Sequence, residues 1–151
     1  MVRSFPSLSQ VNPGRSAIIQ TSILTTAVFC AATLVATAFP DQARIPVAIL
    51  DCVFFAAGIV AFLLAFGRAV SRSRTDEIDI VGVFFLRGEV APRSVRARLL
   101  GAFAVQVVVA LVSSSIRLYT AVAFGILVPM LGLGLAGLWG ARYGRFPKRT
   151  S

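Results

Sequence analysis

Asp51 is the one acidic residue inside a long apolar run of this 151-residue chain. Gln20 and Gln106 are weaker polar candidates of the same kind. An ionised carboxylate at the centre of a membrane helix costs roughly 2.5–3.5 kcal/mol, so an acid in such a run needs a physical reason. Three interpretations are open: a solvated acid near the membrane edge, an ion-pair partner of Arg44 or Arg117, or a proton or cation site on a transport path.

The residues that usually support catalysis or metal binding are missing from the sequence. Histidine, the commonest general base and transition-metal ligand, does not occur. Cys30 and Cys52 stand alone within apolar runs and form no CxxC pair. Residues 132–137 match the pattern G-x-G-x-x-G, but no strand precedes them, which argues against a dinucleotide site. We therefore expect no catalytic residues, no metal and no cofactor.

The composition indicates that lipid is the solvent for most of the chain. Hydrophobic residues make up 57% and charged residues 14%, whereas soluble domains have about 45–50% and about 25%. A helix needs about 20 apolar residues to cross the hydrocarbon core of a membrane. Four runs have about this length, and they predict an all-α integral membrane protein with a transmembrane domain over residues 17–140. The predicted transmembrane helices are 17–39, 45–67, 97–115 and 118–140.

Positive charges divide unequally between the two sides of these helices. The net charge is +9, and thirteen of the fifteen cations fall in the N-terminal tail 1–16, in the connection 68–96 together with Arg98 just beyond it, and in the C-terminal tail 141–151. The other side has only Arg44 and Arg117. By the positive-inside rule, both tails and the long connection are cytoplasmic, which predicts a multi-pass membrane protein with both termini in the cytoplasm. Topology accounts for the charge, so we expect no nucleic-acid partner.

The predicted connections on the outer side are short. Residues 40–44 join the first two helices and residues 116–117 join the last two, so we expect two antiparallel hairpins. One alternative concerns the first helix, because Ala36, Thr37 and Ala38 resemble a signal-peptidase site. Signal peptides have apolar regions of only about 7–15 residues, however, and the run here is longer.

The cytoplasmic connection carries start and stop signals for a short helix. Thr75 is the predicted N-cap, and Arg87 and Gly88 mark the end. A short amphipathic or interfacial helix over residues 78–86 is favoured, with a β-strand as the alternative because Val, Ile and Phe dominate. Basic residues at the cytoplasmic ends of the last two helices are expected to contact anionic lipid headgroups: Arg93, Arg96, Arg98, Arg142 and Arg145.

Small residues follow the fourth helix at four-residue spacing: Gly132, Ala136, Gly140 and Gly144. In lipid, such residues allow helix backbones to pack closely. This predicted packing face serves either the protein's own bundle or the docking of another membrane protein or a second copy. The spacing alone does not separate these alternatives.

The second half of the chain also resembles a family of small actinobacterial inner-membrane proteins with four helices. The segments that carry the resemblance are 84–88 (FFLRG), 91–96 (APRSVR), 124–134 (FGILVPMLGLG) and 137–142 (GLWGAR). The use of Arg rather than Lys, and of Ala and Val, fits such a source. The resemblance implies an inner-membrane location and this topology, and it carries over no catalytic residues.

Three function classes fit these observations. We favour a non-catalytic accessory or scaffold subunit of a larger membrane complex, because of the small-residue face and the missing catalytic groups. A small oligomeric transporter or flippase is the alternative, with Asp51, Gln20 and Gln106 as its polar residues. A membrane enzyme that acts on lipid-linked substrates at the arginine-rich rim is a second alternative.

The division of cations predicts the orientation of each segment. Reporters fused after residue 42, near residue 80 and at the C-terminus should lie outside, inside and inside, because positively charged segments are retained in the cytoplasm. Alkaline phosphatase and green fluorescent protein fusions at the three positions check this. An external C-terminus, or a mature protein that begins at Phe39, would contradict the prediction.

Overall fold

The computed structural model describes residues 13–116 and 121–149, and every regular element in these residues is a helix. This finding confirms the predicted all-α class. Outside the helices, an isolated antiparallel bridge joins Asp76 to Lys148. The elements are α1 (Pro13–Ala38), α2 (Pro40–Arg72), α3 (Ile80–Phe85), α4 (Arg93–Ile116), a 3-10 helix (Ala121–Leu127) and α5 (Pro129–Tyr143).

Four helical segments are long and apolar enough to cross a membrane, judged by length and composition. Each overlaps one of the four predicted apolar runs. The first three bury a third or less of their most apolar stretch within the protein, whereas the fourth buries 61%. Most of the side chains on the first three therefore face outward. The four segments are Gly14–Ala38, Pro40–Arg72, Arg93–Ile116 and Phe124–Tyr143.

The junction between α1 and α2 differs from the prediction. Phe39 alone separates the two helices, and residues 40–44 form the first turn of α2 instead of a loop. Pro40 suits a helix start because the N–H that it lacks has no partner there, and Asp41 lies in the first turn, where the helix dipole favours negative charge. Pro46, the second residue of the predicted helix 45–67, consequently lies inside the helix, and α2 continues to Arg72.

The predicted fourth helix, residues 118–140, is divided into two elements. The 3-10 helix ends at Leu127, and α5 begins at Pro129 and continues to Tyr143. Proline at position 129 cannot donate a backbone hydrogen bond to the preceding turn, so a continuous α-helix through this position is unfavourable. The predicted connection at Arg117 lies outside the described residues. The third predicted helix, 97–115, is longer in the structure because α4 begins at Arg93.

The connection between α2 and α4 contains a short helix, α3, as favoured over a strand. The predicted N-cap at Thr75 is wrong, because the Asp79 carboxylate accepts hydrogen bonds from the backbone N–H groups of Val81 and Gly82. The helix ends at Leu86, which adopts a left-handed conformation with φ of 50°, and Gly88 also has a positive φ of 64°. These two positions turn the chain back toward the bundle.

α5 is the central helix, and it packs against all four other α-helices. Its contacts with α2 are the most extensive in the bundle, and α1 packs mainly against α4. Glycines bring the backbones of α2 and α5 together, since a Cβ atom on Gly134 would lie 2.6 Å from the carbonyl oxygen of Gly58. A Cβ atom on Gly58 would lie 2.6 Å from the backbone nitrogen of Leu131. Neither position has room for a side chain.

We expect Gly134→Ala to destabilise the bundle by about 1–3 kcal/mol, the usual range for an overpacked core, because the added methyl group overlaps the α2 backbone. Gly101→Ala on α4 is the matched control, because a Cβ atom there meets nothing within 4 Å. Unfolding of both purified variants in mixed micelles measures the difference. Equal stability of the two variants would show that the α2–α5 contact is not close-packed.

Candidate functional site

Asp51 lies in the interior of the bundle, where α1, α2 and the 3-10 helix meet. The residue is 1% exposed, and among the described residues its Oδ1 atom has no hydrogen-bond partner. The side chains of Asp51 and Phe29 both border Gly125, since a Cβ atom there would lie 3.6 Å from Asp51 Oδ2 and 3.4 Å from Phe29 Cε2. The backbone of the 3-10 helix therefore passes close to the carboxylate at Gly125.

Two of the three interpretations of Asp51 can be compared with this geometry. The interpretation as a solvated acid at the membrane edge is wrong, because the side chain is buried by the protein itself. Within the described part of the chain, Asp51 forms no ion pair with Arg44, and the ion pair found there joins Arg72 to Asp76. Arg117 lies outside the described residues. A site on a transport path stays a prediction.

A second polar contact crosses the bundle between α4 and α1. Gln106 is fully buried, and its Nε2 atom donates a hydrogen bond of 2.7 Å to Thr26 Oγ1. Thr26 Oγ1 in turn donates to the backbone carbonyl of Ser22. Gln106 Oε1 has no partner among the described residues and faces Gly132 of α5. Gln20, the other predicted polar candidate, is exposed.

A stripe of hydroxyl groups on α1 was missed by the sequence analysis. Ser22, Thr26 and Thr33 are all buried, and their spacing places them on one face of the helix. Phe29 and Ala36 complete this inward face, whereas Leu24 and Leu34 are exposed. The available signal was the alternation of three- and four-residue steps between positions 22, 26, 29, 33 and 36, which is the spacing of a helix packed against neighbours.

The interior therefore contains side-chain atoms that are buried without a partner in the described residues. Each such atom has a cost in free energy, because a polar group removed from water without a compensating hydrogen bond is destabilising. In the described ranges, no group of three or more His, Cys, Asp or Glu side chains lies close enough together to hold a metal ion. The unpartnered atoms belong to Ser22, Asp51, Gln106, Ser114 and Trp139.

The predicted packing face of the fourth helix is buried inside the protein's own bundle. Gly132 lies against Gln106 and Phe103 of α4, and Gly140 lies against the Val83 carbonyl group of α3. Ala136 is fully buried in the same apolar cluster as Trp139. Gly144 follows the end of α5 in an extended conformation and is also buried. These residues thus face several neighbours within the chain instead of one common surface.

The arginines predicted to contact lipid headgroups lie on the surface or close to it. Arg93, Arg98, Arg142 and Arg145 are exposed, and Arg96 is half-buried. Three of the five, Arg93, Arg96 and Arg145, line the same cleft. The cleft lies where α4 begins and the chain beyond α5 passes close to residues 88–92.

Comparison of the chain with protein-family models, with curated proteins and with solved structures finds no match. The resemblance to small actinobacterial inner-membrane proteins therefore stays a prediction.

Proposed function

We propose that this protein is a non-catalytic accessory or scaffold subunit that binds a larger membrane protein through the exposed face of α2. In this proposal the chain lies in a bacterial inner membrane as two helical hairpins, with both termini in the cytoplasm. The unequal division of cations and the four long apolar helices support this placement. Anionic headgroups on the cytoplasmic side are the expected lipid partners.

The observation that carries the proposal is a shallow groove on the outer surface of α2. Ala48, Cys52 and Ala56 follow the helix at four-residue spacing within this groove, which has a volume of about 400 Å³. Larger side chains line the same groove, so it has raised edges. They are those of Ile45, Ile49 and Val53.

A transmembrane helix of another protein fits such a groove. Apolar side chains gain little by exchanging lipid for protein, so helices associate in membranes through close van der Waals contact, which small residues allow. The glycines of α5 are occupied within the bundle and offer no free surface of this kind. The α2 groove is therefore the exposed small-residue surface that supports a docking function.

Filling the groove tests the proposal. Ala56→Leu should reduce copurification of a stoichiometric membrane partner from mild detergent by about tenfold or more, a change equivalent to about 1.4 kcal/mol, because leucine blocks the close approach. Ala104→Leu, on the exposed surface of α4, adds the same bulk elsewhere and should leave the partner bound. A photo-crosslinker attached to Cys52 in a Cys30→Ser background should label that same partner.

Two results would contradict the accessory function. One is equal retention of the partner by Ala56→Leu and Ala104→Leu, which would show that the groove is not the contact. The other is crosslinking from Cys52 to a second copy of the chain alone, which would instead favour the oligomeric transporter.

Transport is the second candidate function, and the buried carboxyl group of Asp51 favours it. Ionisable residues inside membrane bundles commonly lie on proton or ion pathways, because their burial otherwise has no compensation. Asp51 has no ion-pair partner in the described residues, and buried hydroxyl and amide groups are present on α1 and α4. The single negative charge of one carboxylate matches a proton or a monovalent cation as the transported ion.

Asp51→Asn separates this second candidate from a structural role. If Asp51 carries a proton or cation, the variant should fold normally and lose most of the flux, since the amide keeps the shape and removes the ionisable group. Proteoliposomes under a potassium diffusion potential measure proton and sodium flux. Asp41→Asn, an exposed position on the same helix, is the control that should keep wild-type flux. Wild-type protein with no flux above that of empty liposomes would exclude the candidate.

A further inference from the structure

Three arginine side chains line one cleft at the end of the bundle where α4 begins. The cleft has a volume of about 620 Å³, and its walls include Arg93, Arg96, Arg145, Glu89 and the backbone turn at Gly88. Arg93 and Arg96 are three residues apart on α4, so they lie on neighbouring positions of the helix surface. Arg145 comes from the segment that follows α5.

The backbone holds these distant parts of the chain together. The N–H group of Arg145 donates a hydrogen bond of 3.1 Å to the carbonyl oxygen of Val90. Val90 is buried, and a Cβ atom on Gly144 would lie 2.8 Å from its Cγ1 atom, so the two segments run close together here. The position of Arg145 beside α4 is therefore set by main-chain pairing, and it does not depend on a flexible tail.

The positive charge of the cleft is not neutralised within the described residues. No carboxylate lies within ion-pair distance of the three arginines, although Glu89 lines the same cleft. The cleft thus has an excess of two positive charges. Arg96 Nη1 makes only long contacts of 3.5 Å with the carbonyl oxygens of Leu86 and Gly88. The remaining guanidinium N–H groups are available to a ligand, and the N-terminal end of the α4 dipole adds to the positive potential.

We propose that this cleft is a binding site for one phosphate group, carried by a lipid headgroup or by a free phosphate compound. The planar guanidinium group donates two parallel hydrogen bonds to phosphate oxygens, which makes arginine the side chain best suited to this ligand. The site lies at the end of a helix long enough to span the membrane, the level at which lipid phosphates are found. Binding involves no covalent step.

The test compares two sets of substitutions that remove the same charge. The triple variant Arg93→Gln, Arg96→Gln and Arg145→Gln neutralises the cleft. The control triple variant Arg74→Gln, Arg87→Gln and Arg149→Gln neutralises exposed arginines that do not line it. Native mass spectrometry of the full chain in detergent measures binding of dihexanoyl phosphatidylglycerol, dihexanoylglycerol, glycerol 3-phosphate and inorganic phosphate. The double variant Arg93→Gln and Arg145→Gln leaves the contacts of Arg96 intact. Weaker binding by this variant therefore cannot result from a fold disturbed by the loss of those contacts.

We expect one saturable molecule of phosphatidylglycerol per chain and no saturable binding of dihexanoylglycerol, which lacks phosphate. The cleft variants should weaken binding on the order of tenfold or more, and the control variant by much less, because charge-assisted hydrogen bonds are lost only in the cleft. If glycerol 3-phosphate or inorganic phosphate binds as tightly as phosphatidylglycerol, the ligand of the cleft is a free phosphate compound and not a lipid headgroup. Equal weakening in both triple variants, or no saturable binding by the wild type, would overturn the proposal.

Discussion

The close backbone contact between α2 and α5 is the interaction on which the rest of the bundle depends. For helices long and apolar enough to cross a membrane, burial alone would not hold the bundle together, because lipid solvates apolar side chains as well as a protein interior does. Glycine at positions 58 and 134 lets the two backbones touch, which provides dense van der Waals contact instead. Since α5 also packs against α1, α3 and α4, its position on α2 sets the arrangement of the others.

A glycine on α5 also allows a polar side chain to lie inside the bundle. Gly132 leaves room for the side chain of Gln106, since a Cβ atom at this position would overlap Gln106 Oε1. An apolar residue at position 132 would push the Gln106 side chain out of this place. The small residues of the second half of the chain thus serve two physical purposes, close helix contact and the accommodation of the buried Gln106 side chain, whose Oε1 atom has no partner in the described residues.

The sequence predicted the helical class, the number of long apolar helices and the helical form of α3. It did not predict the continuous turn at residues 40–44, because Pro40 and Asp41 suit a loop and a helix start equally well. Nor did it predict the inward face of α1 or the pairing of Gln106 with Thr26, 80 residues away. In lipid, both the buried and the exposed face of a helix are apolar. The periodicity of apolar residues along the sequence is therefore a weak guide to which face is buried.

The arginines at the basic end of the bundle have different surroundings in the fold, which their positions in the sequence do not reveal. The positive-inside rule counts cations near helix ends and is indifferent to where each side chain lies, so Arg98 and Arg145 contribute equally to predicted topology. Their surroundings in the fold differ, because the main-chain bond from Arg145 to Val90 brings that arginine to the start of α4. Arg98 lies on α4 itself but outside the cleft. Tertiary contact between segments far apart in the sequence therefore gives otherwise equivalent charges different physical roles.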